Sequence, residues 1–198
     1  MIITIEELKD KYNTFGDIQG KIRREVNQGK YIPIVRGLYE TNKNTPGYYL
    51  SSYIYGPSYL SFDYALSYYG LIPERVNAYT SATYNKSKSK TYFTPYGTYI
   101  YRDIPNAAFP LDINAIEEND YVYFIASKEK AICDKLYSIK SATSIIKLKE
   151  LLFENLRIDR DQFALLDRDK LALLSKKYPS RNLSILEKLV REMNYDNH

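Results

Sequence analysis

Gly56–Ile72, GPSYLSFDYALSYYGLI, is the stretch around which the rest of the chain can be ordered. Gly56-Pro57 interrupts whatever precedes it, because proline lacks an amide donor and restricts the residue before it. Ser61 stands where an N-cap belongs, its hydroxyl placed to accept from amides one turn ahead. Phe62, Ala65, Leu66 and Tyr69 recur at i, i+3, i+4 and i+7, which gives a helix one apolar face. Gly70 occupies the left-handed position after the helix, and Leu71-Ile72-Pro73 leads the chain away. The spacing therefore predicts a short, capped helix buried on one side within a larger fold.

Bulk properties set the outer limits. A chain of 198 residues can form one large domain or two small ones around a real core. Lys and Arg number 28 against 24 Asp and Glu, a mildly basic balance that permits nucleic-acid contact without requiring it. The single cysteine, Cys133, excludes an intramolecular disulfide and suits a reducing cytoplasm. No run approaches ~18 apolar residues, and the N-terminus has no signal-peptide pattern, so a cytoplasmic, soluble protein is expected. The 22 tyrosines, with no tryptophan, have two explanations. They could stack on the bases of single strands, or they could reflect coding bias, since Asn, Lys and Ile are abundant too. Their spread through core-like segments favours bias.

Outward from the central stretch, the N-terminal part reads as alternating helix and turn. Thr4 and Glu7 form a capping-box pattern ahead of a helix ending near Tyr12. A second helix is predicted from Asp17, its N-cap, to Gln28, with Gly29 just beyond its end. Ile18, Ile22 and Val26 line its inner face, and Gln19, Lys21, Arg23, Arg24 and Asn27 fall outside. Lys30–Tyr39 then predicts two short strands turning at Arg36-Gly37. Helix, turn, basic helix and ribbon is the order of a winged helix-turn-helix. In that arrangement Gln19, Lys21, Arg23, Arg24 and Asn27 face the major groove, and Lys30 and Arg36 contact phosphates. The alternative is a small subdomain with a solvated charged face. Residues 1–46 hold eight basic and six acidic side chains, a balance that decides nothing. A complete winged helix has one more helix ahead of this pair, and only three residues precede Thr4. Either the first helix is missing or the remaining elements are arranged differently, and a truncated reader would depend on a homodimer or bind DNA poorly.

Thr41–Gly47, TNKNTPG, is the best linker, dividing residues 1–46 from residues 47–198. Tyr48–Tyr55 predicts a short helix. Val76–Tyr84, Thr91–Thr94, Thr98–Arg102 and Tyr121–Ala126 predict an antiparallel sheet over about residues 75–126, with the helices around residues 48–70 on one face. Asn85–Lys90 joins two of these strands and carries three lysines, which would either touch phosphates or, more simply, stay solvated. Helices are expected from Ser127, an N-cap, to residue 193, where Leu183, Leu186, Leu189 and Val190 form a stripe suited to core or partner. The expected class is α+β: a short winged helix followed by a mixed helix and antiparallel-sheet domain with C-terminal helices.

Few residues suggest catalysis. The only histidine is His198, at a chain end, which leaves no Ser-His-Asp, Cys-His or histidine-metal system. No glycine-rich phosphate loop is present. Asp103, Asp112, Glu117 and Glu118, with Lys128 and Lys130, could in principle serve a metal-dependent nuclease. Loop acids are more simply solvated, so no enzyme, metal or cofactor is expected.

Several segments together carry a family resemblance. Arg36-Gly37-Leu38-Tyr39, Pro57-Ser58-Tyr59-Leu60-Ser61, Ala65-Leu66, Gly70-Leu71-Ile72-Pro73, and Glu129-Lys130-Ala131 with Asp134 follow one another over roughly half the chain. In order and spacing this resembles the AbiEi family, the antitoxins of bacterial AbiE-type toxin–antitoxin (abortive infection) systems. The resemblance implies an N-terminal winged helix binding repeats upstream of its own operon. It also implies a larger domain that counteracts a nucleotidyltransferase-type toxin, by direct contact or by opposing its effect. Gly37, Tyr39, Ser58, Tyr59, Ser61, Gly70, Glu129, Lys130 and Asp134 are the matching positions. The expected function is thus antitoxin and transcriptional autoregulator. A protein-interaction module without DNA binding is the alternative.

Overall fold

The computed structural model describes residues 1–195, so His198 lies outside the described residues. The chain opens with β1 (Ile2–Thr4), α1 (Ile5–Lys11) and α2 (Ile18–Asn27), then a hairpin of β2 (Ile32–Val35) and β3 (Leu38–Glu40). The predicted capping box forms: the Thr4 amide donates to Glu7 Oε2 at 2.7 Å and the Glu7 amide to Thr4 Oγ1 at 3.3 Å. Asp17 caps α2 through the Gly20 amide at 2.8 Å. A side chain at position 20 would collide with that carboxylate. Gly37 turns the hairpin at φ 81°, a conformation that costs glycine little. β3 is the middle strand of an antiparallel sheet ordered β1-β3-β2. Residues 2–4 are therefore an edge strand, a run too short to show periodicity in the sequence. Ile3, Leu8, Tyr12, Ile22 and Tyr31 fill a small core beneath α1 and α2.

A 3-10 turn (Gly47–Leu50) and α3 (Ser51–Ile54) replace the single helix expected over Tyr48–Tyr55. Then come β4 (Tyr59–Leu60), α4 (Phe62–Tyr68), β5 (Ala78–Thr83), β6 (Lys90–Thr94), β7 (Gly97–Asp103), β8 (Ile113–Glu118) and β9 (Tyr121–Ala126). They form one six-stranded sheet in the order β6-β7-β5-β4-β9-β8. The expected antiparallel sheet is a mixed one, because β5–β7 and β4–β9 run parallel. The loop after β5 carries the chain past one strand position, so β6 descends at the edge and β7 returns between them, alongside β5. Tyr99 and Tyr101 reach from β7 to the Gly47 and Ser51 carbonyls at 2.8 and 2.6 Å, fixing the 3-10 turn and α3 on the sheet. No helix of the described residues is long and apolar enough to cross a membrane.

The C-terminal part comprises α5 (Lys128–Tyr137), α6 (Ile145–Glu150) running into a π-helical turn (Leu151–Asn155), α7 (Arg160–Ala164), α8 (Arg168–Ser175) and α9 (Arg181–Tyr195). α5 packs against α4, α8, α9 and β9. Its N-cap is Ser127, as expected, accepting from the Lys130 amide at 3.1 Å. Leu183, Leu186, Leu189 and Val190 of α9 are buried in the main core.

The central stretch departs from expectation at its most informative residue. Ser61 occupies the N-cap position of α4 but caps nothing. Its hydroxyl donates instead to Asp134 Oδ2 at 2.6 Å. Thr80 of β5 takes over the cap, accepting from the Tyr64 amide at 3.0 Å and donating to the Ser61 carbonyl at 2.6 Å. Phe62, between them, sits at φ 53°, where a bulky residue is strained by about 1–3 kcal/mol. Its ring is fully buried, which offsets that cost.

Asp134 itself is the hub of a buried network. Its Oδ2 accepts from Ser61 and from Tyr59 at 3.0 Å, and its Oδ1 accepts from Tyr178 at 2.6 Å. Lys130, one turn earlier on α5, lies 3.3 Å from Oδ1, and both side chains are completely buried. The Lys130 ammonium also donates to the Ala108 carbonyl at 2.7 Å and to Tyr178 at 2.5 Å. Each charge thus has a full set of partners, the condition under which a buried ion pair is tolerated. Burial pushes the Lys130 pKa down while the Asp134 charge draws it back up. Burial and the same carboxylate hold the Tyr59 and Tyr178 hydroxyls far above the usual phenol value.

Two outcomes follow for stability. Asp134→Asn leaves Lys130 without its counter-charge, so urea unfolding should show a loss of about 3–5 kcal/mol, against about 1.5–3 for Tyr59→Phe. Tyr59, Tyr99, Tyr101 and Tyr178 all have folded pKa values above those of an unfolded chain, with burial the leading cause. Their contribution is intact below about pH 10 and is lost as pH rises beyond it, at about 1.4 kcal/mol per unit for each tyrosine. Tyrosinate absorbance from these residues should therefore appear together with loss of the circular dichroism signal, not ahead of it.

Candidate nucleic-acid interface

The N-terminal unit positions its polar residues through α2 and the β2–β3 hairpin. Of the seven side chains singled out by the sequence, Gln19, Arg23, Arg24, Asn27, Lys30 and Arg36 are exposed and Lys21 is half-buried. Gln19 and Arg23 of α2 and Arg36 at the hairpin tip line one groove of about 570 Å³, floored by Ile22, Val26, Val35 and Tyr39. Lys9 of α1 lies on the same groove and was not marked by the sequence. Arg23, Arg24 and Arg36 make no ion pair among the described residues, so their guanidinium groups are free to meet a ligand.

Lys21 and Lys30 have another partner. Both reach the buried carboxylate of Glu25, at 2.5 and 2.6 Å. Hydrogen bonds from Lys21 and Lys30 hold the Glu25 carboxyl down at about 2. The Lys21–Glu25 spacing of i, i+4 was readable in the sequence as a helix pair, although the third member was not. Nearby, the Tyr12 and Tyr31 hydroxyls meet at 3.1 Å, and Lys11 donates to Tyr31 at 3.0 Å. Burial would raise the Tyr31 pKa, yet hydrogen bonds from Lys11 and Tyr12 bring it below the usual phenol value.

The distribution of the acids shows why the net charge of this segment understates its exposed positive surface. Of its six acids, Glu25, shared by two lysines, and Glu40 are buried, which leaves Glu6, paired with Lys9, the caps Glu7 and Asp17, and Asp10 exposed. Glu40 also anchors the unit to the larger sheet. It accepts from the Thr41 and Asn42 amides at 2.7 and 3.1 Å, from the Met1 ammonium, and from Tyr121 of β9 at 2.9 Å. Burial acts to raise the Glu40 pKa, and these hydrogen bonds more than reverse it.

The residues that carry the family resemblance separate into two groups. Tyr59, Ser61, Lys130 and Asp134 converge in the buried network. Glu129 accepts from the Asp167 amide at 3.1 Å and so holds the start of α8, with Lys170 at 3.8 Å. Ser58 is buried, and its hydroxyl has no hydrogen-bond partner among the described residues. Gly37 and Gly70 both take positive φ, closing the hairpin and α4, and Tyr39 packs on the small core. The Ser61, Lys130 and Asp134 side chains are fully buried and Tyr59 nearly so, which suits them to holding elements together.

The remaining candidates are engaged in loop structure. Asp103 accepts from Thr83 at 2.6 Å and from the Lys86 and Ser87 amides at 2.7 Å each. Asp112 accepts from Ser127 and lies 3.3 Å from Lys170. Lys86 donates to the Gly56 carbonyl at 3.0 Å and lies over the Tyr55 ring, whereas Lys88 and Lys90 stay exposed. Among the described residues no three His, Cys, Asp or Glu side chains gather as a metal site would require. No family model and no curated protein matches the sequence.

The Glu25 pairing has a pH signature. Because its folded pKa is depressed, its stabilisation is present above the ordinary value of 4.5 and is lost as pH falls toward about 2. Glu25→Gln should therefore melt below wild type at neutral pH. Thermal scans of the two proteins should converge as the solution is acidified through that window, and a constant gap would rule the pairing out.

Proposed function

We propose that this chain is a DNA-binding regulator built like an AbiEi antitoxin, with residues 1–46 reading DNA and residues 47–198 forming the antitoxin part. The observation that carries this is the connectivity of the N-terminal unit. Between β1 and β2 lie two helices, and β3 then inserts between the two strands to give the order β1-β3-β2. This order supports a winged helix from its first strand onward, in which α2 would serve as recognition helix and Arg36-Gly37 as the tip of a short wing. The exposed guanidinium groups of Arg23 and Arg24, with Asn27 beside them, are suited to base edges and phosphates of a major groove. Arg36, across the groove from Gln19 and Arg23, suits the backbone alongside. Lys21 and Lys30, shared with Glu25, add to the local field more than to direct contact.

The antitoxin half of the proposal is supported by the way the resembling segments meet. Pro57–Ser61 and Glu129–Asp134 are far apart in sequence, yet Tyr59, Ser61, Lys130 and Asp134 form one network. A partner toxin of the nucleotidyltransferase class would be opposed by this larger part, in the cytoplasm of a bacterium, with no cofactor.

Arg23→Ala combined with Arg24→Ala tests the division of labour. Each lost contact is worth about 1–3 kcal/mol, so affinity for the chain's own upstream DNA should fall at least ~30-fold. Protection from the co-expressed toxin should persist at unchanged folding. Undiminished DNA affinity, or loss of protection in the folded variant, would contradict the proposal.

A further inference from the structure

We propose that β8 and the groove beside it form a docking edge for an extended segment of another protein, one that alternates apolar with basic side chains. Among the described residues β8 is the outermost strand on its side of the sheet and pairs with β9 alone. The turn between them is Asn119-Asp120, both at positive φ, so Glu118 and Tyr121 close the hairpin as a hydrogen-bonded pair. Counting back by twos, Ile113, Ala115 and Glu117 direct their amides and carbonyls outward. Among the described residues no backbone group meets them. The opposite edge, β6, lies against β2, whereas β8 has neither proline, lysine nor bulge to block strand addition.

Apolar surface adjoins this open edge. Tyr53, Pro57, Phe109, Ile113, Val122 and Phe124 line a groove of about 510 Å³. Val122 and Phe124 are 39% and 40% exposed, while Tyr123 and Ile125, alternating with them on β9, are buried. A strand added to β8 would place every second side chain toward that apolar face, the arrangement by which added strands gain specificity.

Charge selects the occupant. Glu117, Glu118 and Asp120 line the edge and its turn, and none forms an ion pair among the described residues. Glu118 accepts only from Tyr48, at 3.4 Å. On a chain of net charge +4 this is a locally negative rim. Glu117 lies across from Val122 and so shares the apolar face, whereas Glu118, across from Tyr121, is on the other face and calls for Lys or Arg between the apolar residues of the added strand. A second copy pairing through its own β8 would set these carboxylates against each other. Nothing in this proposal requires DNA binding.

The test uses the intact protein and a fluorescein-labelled peptide of the length of β8 that alternates Lys and Val. Two controls replace Lys by Glu, or alternate Val by Pro. Ala115→Pro removes an outward amide while sparing the β8–β9 bonds, and Glu118→Lys reverses an exposed charge on the face that the added lysines would meet. Fluorescence anisotropy should show binding of the Lys-Val peptide, weaker by about tenfold or more for either control peptide and for either variant. Glu118→Lys should melt close to wild type, because the residue is exposed and its bond from Tyr48 is long, so the test stands even if Ala115→Pro does not fold. No binding of the Lys-Val peptide overturns the proposal, as does equal binding of the Pro peptide or full affinity in Glu118→Lys. A wild-type oligomer in solution that Glu118→Lys dissociates would give the edge to a second copy and overturn it too.

Discussion

A carboxylate placed where no water reaches must be matched by protein donors, and Asp134 makes that demand on four parts of the chain. Tyr59 and Ser61 answer from β4 and the turn after it, Lys130 from the same helix, and Tyr178 from the segment leading into α9. Lys130 in turn needs the Ala108 carbonyl from the loop ahead of β8. Any slip of α5 against the sheet would leave a buried charge unsatisfied, so the network fixes register as well as contact. Its effects reach outward. Ser61 is drawn away from capping α4, Phe62 is forced into a left-handed turn, and Thr80 becomes the cap in its place. Tyr59 packs on Phe109, with ring centroids 5.2 Å apart, and both side chains line the groove beside β8.

What could be read from sequence was what is decided locally. Thr4 with Glu7, Asp17, Ser127, Gly29 and Gly70 were identified because each satisfies backbone groups a few residues away. Ser61 was misassigned by the same rule, since a buried carboxylate from a distant helix competes better for its hydroxyl than a helix end that Thr80 can serve. The parallel pairs β5–β7 and β4–β9 had no local signature, because loop paths rather than strand composition decide strand direction. β8 was hidden by its sequence, INAIEE, which is poor in the residues that favour strands. Only Asn119-Asp120, a residue pair that tolerates positive φ, offered a signal, and it was not read as a turn.

The same contrast holds for the candidate interface. Exposure of Arg23, Arg24 and Asn27 followed from helical periodicity. The sharing of Glu25 by Lys21 and Lys30 did not, because Lys30 arrives from beyond the helix end. The spacing of Lys130 and Asp134, i and i+4, was equally visible, but surface helices show the same spacing and only the fold reveals complete burial.

The central claim is that α2 and the hairpin tip read DNA. The most direct measurement is binding of the pure protein to its own upstream DNA and to a shuffled duplex of equal length, across increasing salt. The account predicts tighter binding to the upstream DNA, with affinity for both falling steeply as salt rises, because each cation on a phosphate releases counterions. No binding at low salt, or equal affinity for the two duplexes, would contradict it.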